Sequence, residues 1–302
     1  MSGYLEGKSV AVTGAGGGIG RAVALACASA GANVVVADYG VSLDGRDPSS
    51  DVADAVVKEI ADLGGTAVAV AGDVSTMDGG AAVVQASLDS WGRIDGVVCI
   101  AGILRERMLF NMAEEEWDPV VATHLKGHFT VFRAAAAVMR KQEGGGSLVG
   151  FTSGAFQGSV SQANYAAAKG GVVSLVRSAA AGLHRYGVTA NAVAPVARTR
   201  MSANVPMELA EMGDPEDVAP LVVYLLSDKA RHVTGQVYTA VGGKIAVWNQ
   251  PLEVRAMYTD GRWTPEEIEA RLDATVGQER MRLIDQLEAM RQAAASGDRP
   301  NS

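Results

Sequence analysis

The chain has little that could staple it, chelate a metal or span a bilayer. Its 302 residues include only two cysteines, Cys27 in a helical pattern and Cys99 in a strand pattern. Two cannot make a disulfide framework, and both read as small buried hydrophobes with no redox or metal role. Positive charge is also short: Lys and Arg total 26 against 34 Asp and Glu, a formal charge of −8. No basic cluster offers a track for a phosphate backbone, which argues against a nucleic-acid partner. No apolar run reaches the ~20 residues of a membrane span, and residues 1–8 hold no apolar signal core. The expectation is a cytoplasmic protein with no membrane partner. Internal repeats are absent as well. The remainder is a 48% hydrophobic chain of enzyme size, able to bury one large core or a core plus an appendage.

Short β-rich runs recur at Val10–Thr13, Val34–Asp38, Ala67–Ala71, Gly96–Ile100, Leu148–Phe151 and Val188–Val193, separated by alanine-rich helical patterns. Their hydrophobicity is continuous rather than alternating, as in strands covered on both faces. This predicts an α/β fold with a doubly wound, mostly parallel sheet of about seven strands, the last near Gln236–Ala240. The stretch from Tyr39 to Ser50 predicts a long loop between the second strand and its helix. After Gly243 the composition shifts, so the chain divides into residues 1–243 and a helical C-terminal extension, 244–302, with helices near 264–275 and 278–295. That extension is too short for a full domain. It is expected to pack on the sheet or on a neighbouring subunit, with the last residues from Ser296 disordered.

Chemistry enters at the first strand's end, where Thr13 runs into Gly14-Ala15-Gly16-Gly17-Gly18-Ile19-Gly20. Gly14, Gly18 and Gly20 fit the spacing G-x-x-x-G-x-G. Bare backbone at a helix start can approach a pyrophosphate. Asp38, at the tip of the next strand, is placed to accept ribose hydroxyls and repel a 2′-phosphate, favouring NAD over NADP; as a plain turn residue it would do neither. Asp73-Val74 is placed for the adenine, or Asp73 caps a helix.

Tyr165-Ala-Ala-Ala-Lys169 puts a phenol and an ammonium on one helix face, and an ammonium beside a phenol favours the phenolate. Lys169 is thus expected to lower the Tyr165 pKa and make it an acid/base. Ser153 lies at the C-terminal tip of a buried strand, where α/β proteins bind ligands. Each of these features is common alone. Their order behind a nucleotide-type glycine turn is not.

These residues resemble the short-chain dehydrogenase/reductase family over about residues 5–243. The resemblance implies a nicotinamide cofactor and Ser153, Tyr165 and Lys169 as the catalytic group. It also implies cofactor contacts from Gly14, Gly18, Ile19, Gly20, Asp38, Asp73, Val74, Tyr165 and Lys169, and from Ala101 and Gly102 in Cys99-Ile-Ala-Gly102, where the family has Asn-Asn-Ala-Gly. After the sixth strand Pro195-Val196 replaces Pro-Gly, and Thr199 meets the nicotinamide amide and phosphates. His124, in Thr-His-Leu-Lys-Gly-His-Phe, stands where the family has a catalytic Asn; it either takes over a proton relay or packs the helix. Gly102-Ile-Leu-Arg-Glu-Arg107, His124-Leu-Lys-Gly, Gln162-Ala-Asn-Tyr165, Ala194-Pro195 and Arg200-Met201 resemble the (3R)-hydroxyacyl-CoA dehydrogenase region of peroxisomal multifunctional enzymes and bacterial hydroxysteroid dehydrogenase-like relatives.

The resulting expectation is NAD-dependent oxidation of a secondary alcohol on a bulky apolar substrate, an acyl-CoA or a steroid. Met201, Met207, Met212 and Trp248 are read as apolar lining for it. The alternatives are an NADPH-dependent 3-oxoacyl reductase and a cofactor binder that has lost its chemistry. Alanine-rich helices around 129–141 and 163–186 suggest a homodimer or homotetramer.

Overall fold

The computed structural model describes residues 3–46, 49–199, 212–277 and 280–296. One sheet runs in the order β3-β2-β1-β4-β5-β6-β7-β8, from β1 (Ser9–Thr13), β2 (Asn33–Ala37), β3 (Thr66–Val70), β4 (Gly96–Cys99), β5 (Gly146–Phe151), β6 (Val188–Pro195), β7 (Val237–Val241) and β8 (Lys244–Val247). β1 to β7 pair in parallel; β8 turns back antiparallel on β7. The expected fold class holds, with β8 as an additional strand.

Successive strand residues feed opposite cores. Val34 and Val36 of β2 belong to one apolar cluster, Val35 and Ala37 to the other; Val12 and Ala11 of β1 divide in the same way. The first cluster is closed by α1 (Gly18–Ser29), α2 (Asp51–Asp62) and α7 (Ala219–Leu226). The second is closed by α3 (Met77–Trp91), α5 (Gly127–Met139) and α6 (Ala163–Leu183). Burial on both faces is why the inner strands read as unbroken apolar runs, while the edge strand β3 is half-exposed. α4 (Glu114–Val121) leads through a π-helical turn, Ala122–Lys126, into α5.

The strand order reverses at β1, which pairs with β2 on one side and β4 on the other. A crevice opens there at the strands' carboxyl ends, the ligand position of doubly wound sheets.

Contacts divide the chain into Met1–Trp248 and Asn249–Ser302. The break falls after Trp248 rather than Gly243 because β8 hydrogen-bonds into the sheet. In the second unit, α8 (Pro265–Thr275) starts with a capping box: the Thr264 hydroxyl accepts from Glu267 N–H and the Glu267 carboxylate from Thr264 N–H. Arg271 stacks on Trp263 at 4.9 Å. α9 (Arg282–Ser296) follows, with Arg280 paired to Glu288. The expected tail beyond Ser296 lies outside the described residues. No helix among the described residues is long and apolar enough to cross a membrane.

Candidate active site

Two pieces of geometry converge on the crevice. The first is the glycine cradle. Gly14 and Gly18 adopt φ of +69° and +50°, a left-handed conformation that costs glycine little. A Cβ on Gly14 would sit 2.7 Å from Ala101 N, and one on Gly20 only 1.9 Å from the Gly14 carbonyl oxygen. Both glycines are therefore required by close contact, and Gly14 by its torsion as well. Thr13 ties the cradle to β4 by accepting at Oγ1 from Ile100 N–H (3.1 Å) and Ala101 N–H (3.3 Å). Asp38 closes the other side, its carboxylate accepting from Gly16 N–H and Gly40 N–H at 2.7 Å each.

A cavity of about 330 Å³ lies over these groups. Gly14, Gly18, Ile19 and Gly20 line it together with Asp38, Asp73, Val74, Ala101, Gly102 and Thr199. These residues fit an extended dinucleotide: bare amides at a helix N-terminus for a pyrophosphate, and a carboxylate at the second strand's tip for ribose hydroxyls. Asp73 accepts from Ser75 N–H, while Thr76 caps α3, so the capping role falls to the threonine. Pro195 and Val196 continue β6, with Val196 N–H donating to Ala240 O. Thr199 lies beside Gly18, its methyl 3.6 Å from where a Gly18 Cβ would be. Arg200, Met201 and Met207 lie outside the described residues. Met212 is buried, and Trp248 packs edge-on to Phe156 at 4.8 Å while donating to Thr239 Oγ1.

The second piece is the group Ser153, Tyr165 and Lys169. Ser153, just past β5, caps the turn Gly154–Gln157 by accepting from Ala155 N–H at 3.2 Å, so its hydroxyl does double duty. Burial pushes the Tyr165 phenol up, and a hydrogen bond with Ser153 pulls it down. The net shift is upward, against the expected depression by Lys169. The ammonium sits 5.4 Å from the Tyr165 ring centroid and donates instead to the Phe151 carbonyl at 2.6 Å. An i, i+4 spacing shows that the two side chains share a face; it does not show that both are removed from water. Burial outweighs the neighbouring charge. It also pulls Lys169 itself down to about 7.

His124 is 1% exposed. Its Nε2 meets the Ile103 backbone, 2.8 Å from O and 3.2 Å from N, while its buried Nδ1 has no hydrogen-bond partner. Its ring stands edge-on to Tyr165 at 5.0 Å, and a Cβ on Gly102 would strike it at 2.1 Å. Burial first, then the Lys169 charge, hold it well below the usual histidine range and hence neutral.

A matching family model, described as Enoyl-(Acyl carrier protein) reductase, covers residues 14–244. The chain belongs to the short-chain dehydrogenase/reductase family. It is 44% identical over 305 residues to a hydroxyacyl-CoA dehydrogenase, ChsB1, of Mycobacterium tuberculosis, covering 95% of each chain. It is 40% identical over 266 residues to the peroxisomal multifunctional enzyme type 2 of Mus musculus, covering 87% of this chain and 36% of that one. A crystal structure of a short chain dehydrogenase from Mycobacterium avium, 46% identical, aligns with a TM-score of 0.83, covering 92% of this chain and 97% of that one. This family membership makes the protein an oxidoreductase that uses a nicotinamide cofactor.

For a short-chain dehydrogenase/reductase, the structure adds one residue whose role is not visible in the sequence. Asn164 is wholly buried; its Nδ2 donates to the carbonyls of Arg105 (2.9 Å) and Glu116 (2.7 Å), and its Oδ1 accepts from Tyr165 N–H (2.8 Å). It joins the loop after β4 to the first turn of the Tyr165 helix. The sequence signals are a polar residue at the start of a mostly apolar helix and its place in the Gln162-Ala-Asn-Tyr165 stretch.

A lone buried ammonium is costly. Folding lowers the Lys169 pKa from 10.5 to about 7, so between those values the unfolded chain binds more protons and stability rises with pH. In Lys169→Met this contribution is gone. Cofactor-free wild type is expected to gain about 2–3 kcal/mol relative to Lys169→Met between about pH 7.5 and about pH 9.5. Denaturant titrations at both pH values measure it; parallel curves would remove the buried-ammonium account.

Proposed function

We propose that the protein is an NAD-dependent dehydrogenase of a secondary alcohol on a bulky apolar substrate, oxidising the 3-hydroxyl of a hydroxyacyl-CoA or reducing the corresponding ketone. The observation that carries this reading is the group of half-buried Ser153 and Tyr165 with buried Lys169, beside a cradle with Asp38 at its edge. The hydroxyacyl-CoA relative, similar over almost the whole chain, supports that substrate class over a hydroxysteroid.

A bound nicotinamide dinucleotide supplies the hydride acceptor or donor. Ser153 and Tyr165 hold the substrate oxygen by their hydroxyls. Tyr165 takes the hydroxyl proton in oxidation and returns it in reduction. Lys169 orients Tyr165 and would hold the ribose of the bound cofactor. His124, neutral and bound to Ile103, positions the loop that carries Ala101 and Gly102. Phe156, three residues after Ser153, and Trp248, packed edge-on to it, offer an apolar wall to a large substrate. Assembly as a homodimer or homotetramer through α5 and α6 belongs to the same reading, and exposed Phe129 on α5 supports it.

The decisive experiment is parallel kinetics with NAD⁺ and NADP⁺ against 3-hydroxyacyl-CoA substrates and hydroxysteroids. A carboxylate facing a 2′-phosphate costs several kcal/mol, so kcat/KM should favour NAD⁺ by about 100-fold or more. Asp38→Asn keeps one acceptor oxygen for the loop amides and removes the charge, and should reduce that preference at least about tenfold. A wild type that prefers NADP⁺ would overturn the Asp38 reading and favour a 3-oxoacyl reductase.

A further inference from the structure

We propose that His128 is a positioning residue for the proposed reaction, holding the Lys169 ammonium in place by fixing the backbone of Phe151. The inference rests on Lys169 serving the alcohol site described above. Three hydrogen bonds run in series. Lys169 Nζ donates to Phe151 O at 2.6 Å; Phe151 N–H donates to His128 Nε2 at 3.0 Å; His128 Nδ1–H donates to the carbonyl of His124 in the π-helical turn.

The partners fix the ring's chemistry. A carbonyl can only accept and an amide can only donate, so the proton is on Nδ1 and the lone pair on Nε2. Burial pulls the ring down to about 3, which keeps it neutral and this tautomer dominant at ordinary pH.

The surroundings are those of a core position. His128 is 1% exposed, lies edge-on to Phe132 at 5.9 Å, and takes up space that Gly150 leaves, since a Cβ there would come within 3.3 Å of its Cδ2. A leucine would fill such a place without polar atoms to satisfy. An imidazole with both nitrogens engaged instead joins the π-helical turn to the end of β5. By accepting from Phe151 N–H it fixes the backbone of Phe151 at the end of β5, and with it the position of the carbonyl that receives the ammonium. Thr152 Oγ1 donates to the Lys169 carbonyl at 2.8 Å, holding the backbone of the same residue. Lys169 is thus fixed at both ends from the end of β5. The titratable groups around the ammonium are Cys99, His124, His128 and Tyr165. Burial pushes the thiol and the phenol up and both imidazoles down, so none supplies a counter-charge near neutral pH.

Three variants divide the bonds. His128→Gln places an acceptor oxygen near the position of Nε2 and loses the bond to His124 O. His128→Asn places an amide donor near the position of Nδ1 and loses the bond from Phe151. His128→Leu keeps volume alone. In the full-length protein, His128→Gln should retain kcat within about threefold, while His128→Asn and His128→Leu lose at least about tenfold. The ¹³Cε resonance of Lys169 in labelled, cofactor-free protein gives a readout independent of substrate. Its titration midpoint should stay at the wild-type value in His128→Gln and move in the other two. Wild-type kcat and midpoint in His128→Leu would reduce His128 to core filling. Rescue by His128→Asn where His128→Gln fails would place the effect at the His124 carbonyl and overturn the path through Phe151. Should His128→Leu fail to fold, the Gln and Asn variants decide between the same outcomes. A wild type that oxidises none of the alcohols overturns the proposed function instead, and the Lys169 resonance still decides this inference.

Discussion

Tyr165→Phe will fold, bind the nicotinamide cofactor as the wild type does, and, on the proposed function, turn over alcohol about 10²- to 10⁴-fold more slowly, the usual worth of a positioned acid/base. One oxygen is removed from a half-buried ring, and the phenyl keeps its edge-on contact with His124. Ser153 keeps its bond from Ala155 N–H. Neither the cradle nor Asp38 is touched, so cofactor titration should be unchanged while single-turnover formation of reduced cofactor collapses. Activity within about tenfold of wild type would remove Tyr165 from the chemistry. The pH dependence has a definite sign. Burial raises the phenol above its ordinary value, so the folded protein near neutral pH holds it protonated. Oxidation, which needs the phenolate, should climb with pH while ketone reduction falls; both profiles flatten in Tyr165→Phe.

Gly20→Ala should abolish cofactor binding and destabilise the domain by at least about 3 kcal/mol, beyond ordinary overpacking. The new methyl would lie 1.9 Å from the Gly14 carbonyl oxygen and 3.0 Å from Ala15 Cα, which are backbone atoms with no rotamer to escape into. Gly14 has little room to retreat, because even a Cβ built on it would come within 2.7 Å of Ala101 N, just beyond β4. Gly17→Ala is the control. Gly17 is extended, at φ −168°, and a methyl added there would meet nothing within 4 Å. It should keep wild-type stability while weakening the cofactor's approach to the cavity it lines. Thermal melts and NAD⁺ titrations of the pair test the cradle; equal stabilities would mean that the turn is looser than its contacts imply.

The fold was legible because its strands are buried on both sides. Val34 to Ala37 serve two cores at once and leave an unbroken apolar run in the sequence. β8 escaped notice because it is short and mostly exposed, with Ile245 and Val247 open to solvent. The cradle glycines and the Ser153, Tyr165, Lys169 order were readable because each depends on local spacing. Asn164 and His128 were not, because their meaning comes from partners far along the chain: the carbonyls of Arg105 and Glu116, and the amide of Phe151. The upward shift of Tyr165 was hidden for the same reason. Spacing shows which groups meet, whereas burial depends on everything packed around them.

The reversal of strand order at β1 has a consequence for synthesis on the ribosome. The cradle is encoded near the start of the chain, but its far wall is not: Thr13 Oγ1 waits for the amide of Ile100, 87 positions later. Until that segment emerges, β1 has β2 as a neighbour and an open edge where β4 belongs. Long-range parallel pairing of this kind closes late. A nicotinamide nucleotide therefore cannot template the nascent N-terminal segment. It can only select chains whose fourth strand has already docked, and its abundance in the cell raises the stability of finished domains without hastening their assembly.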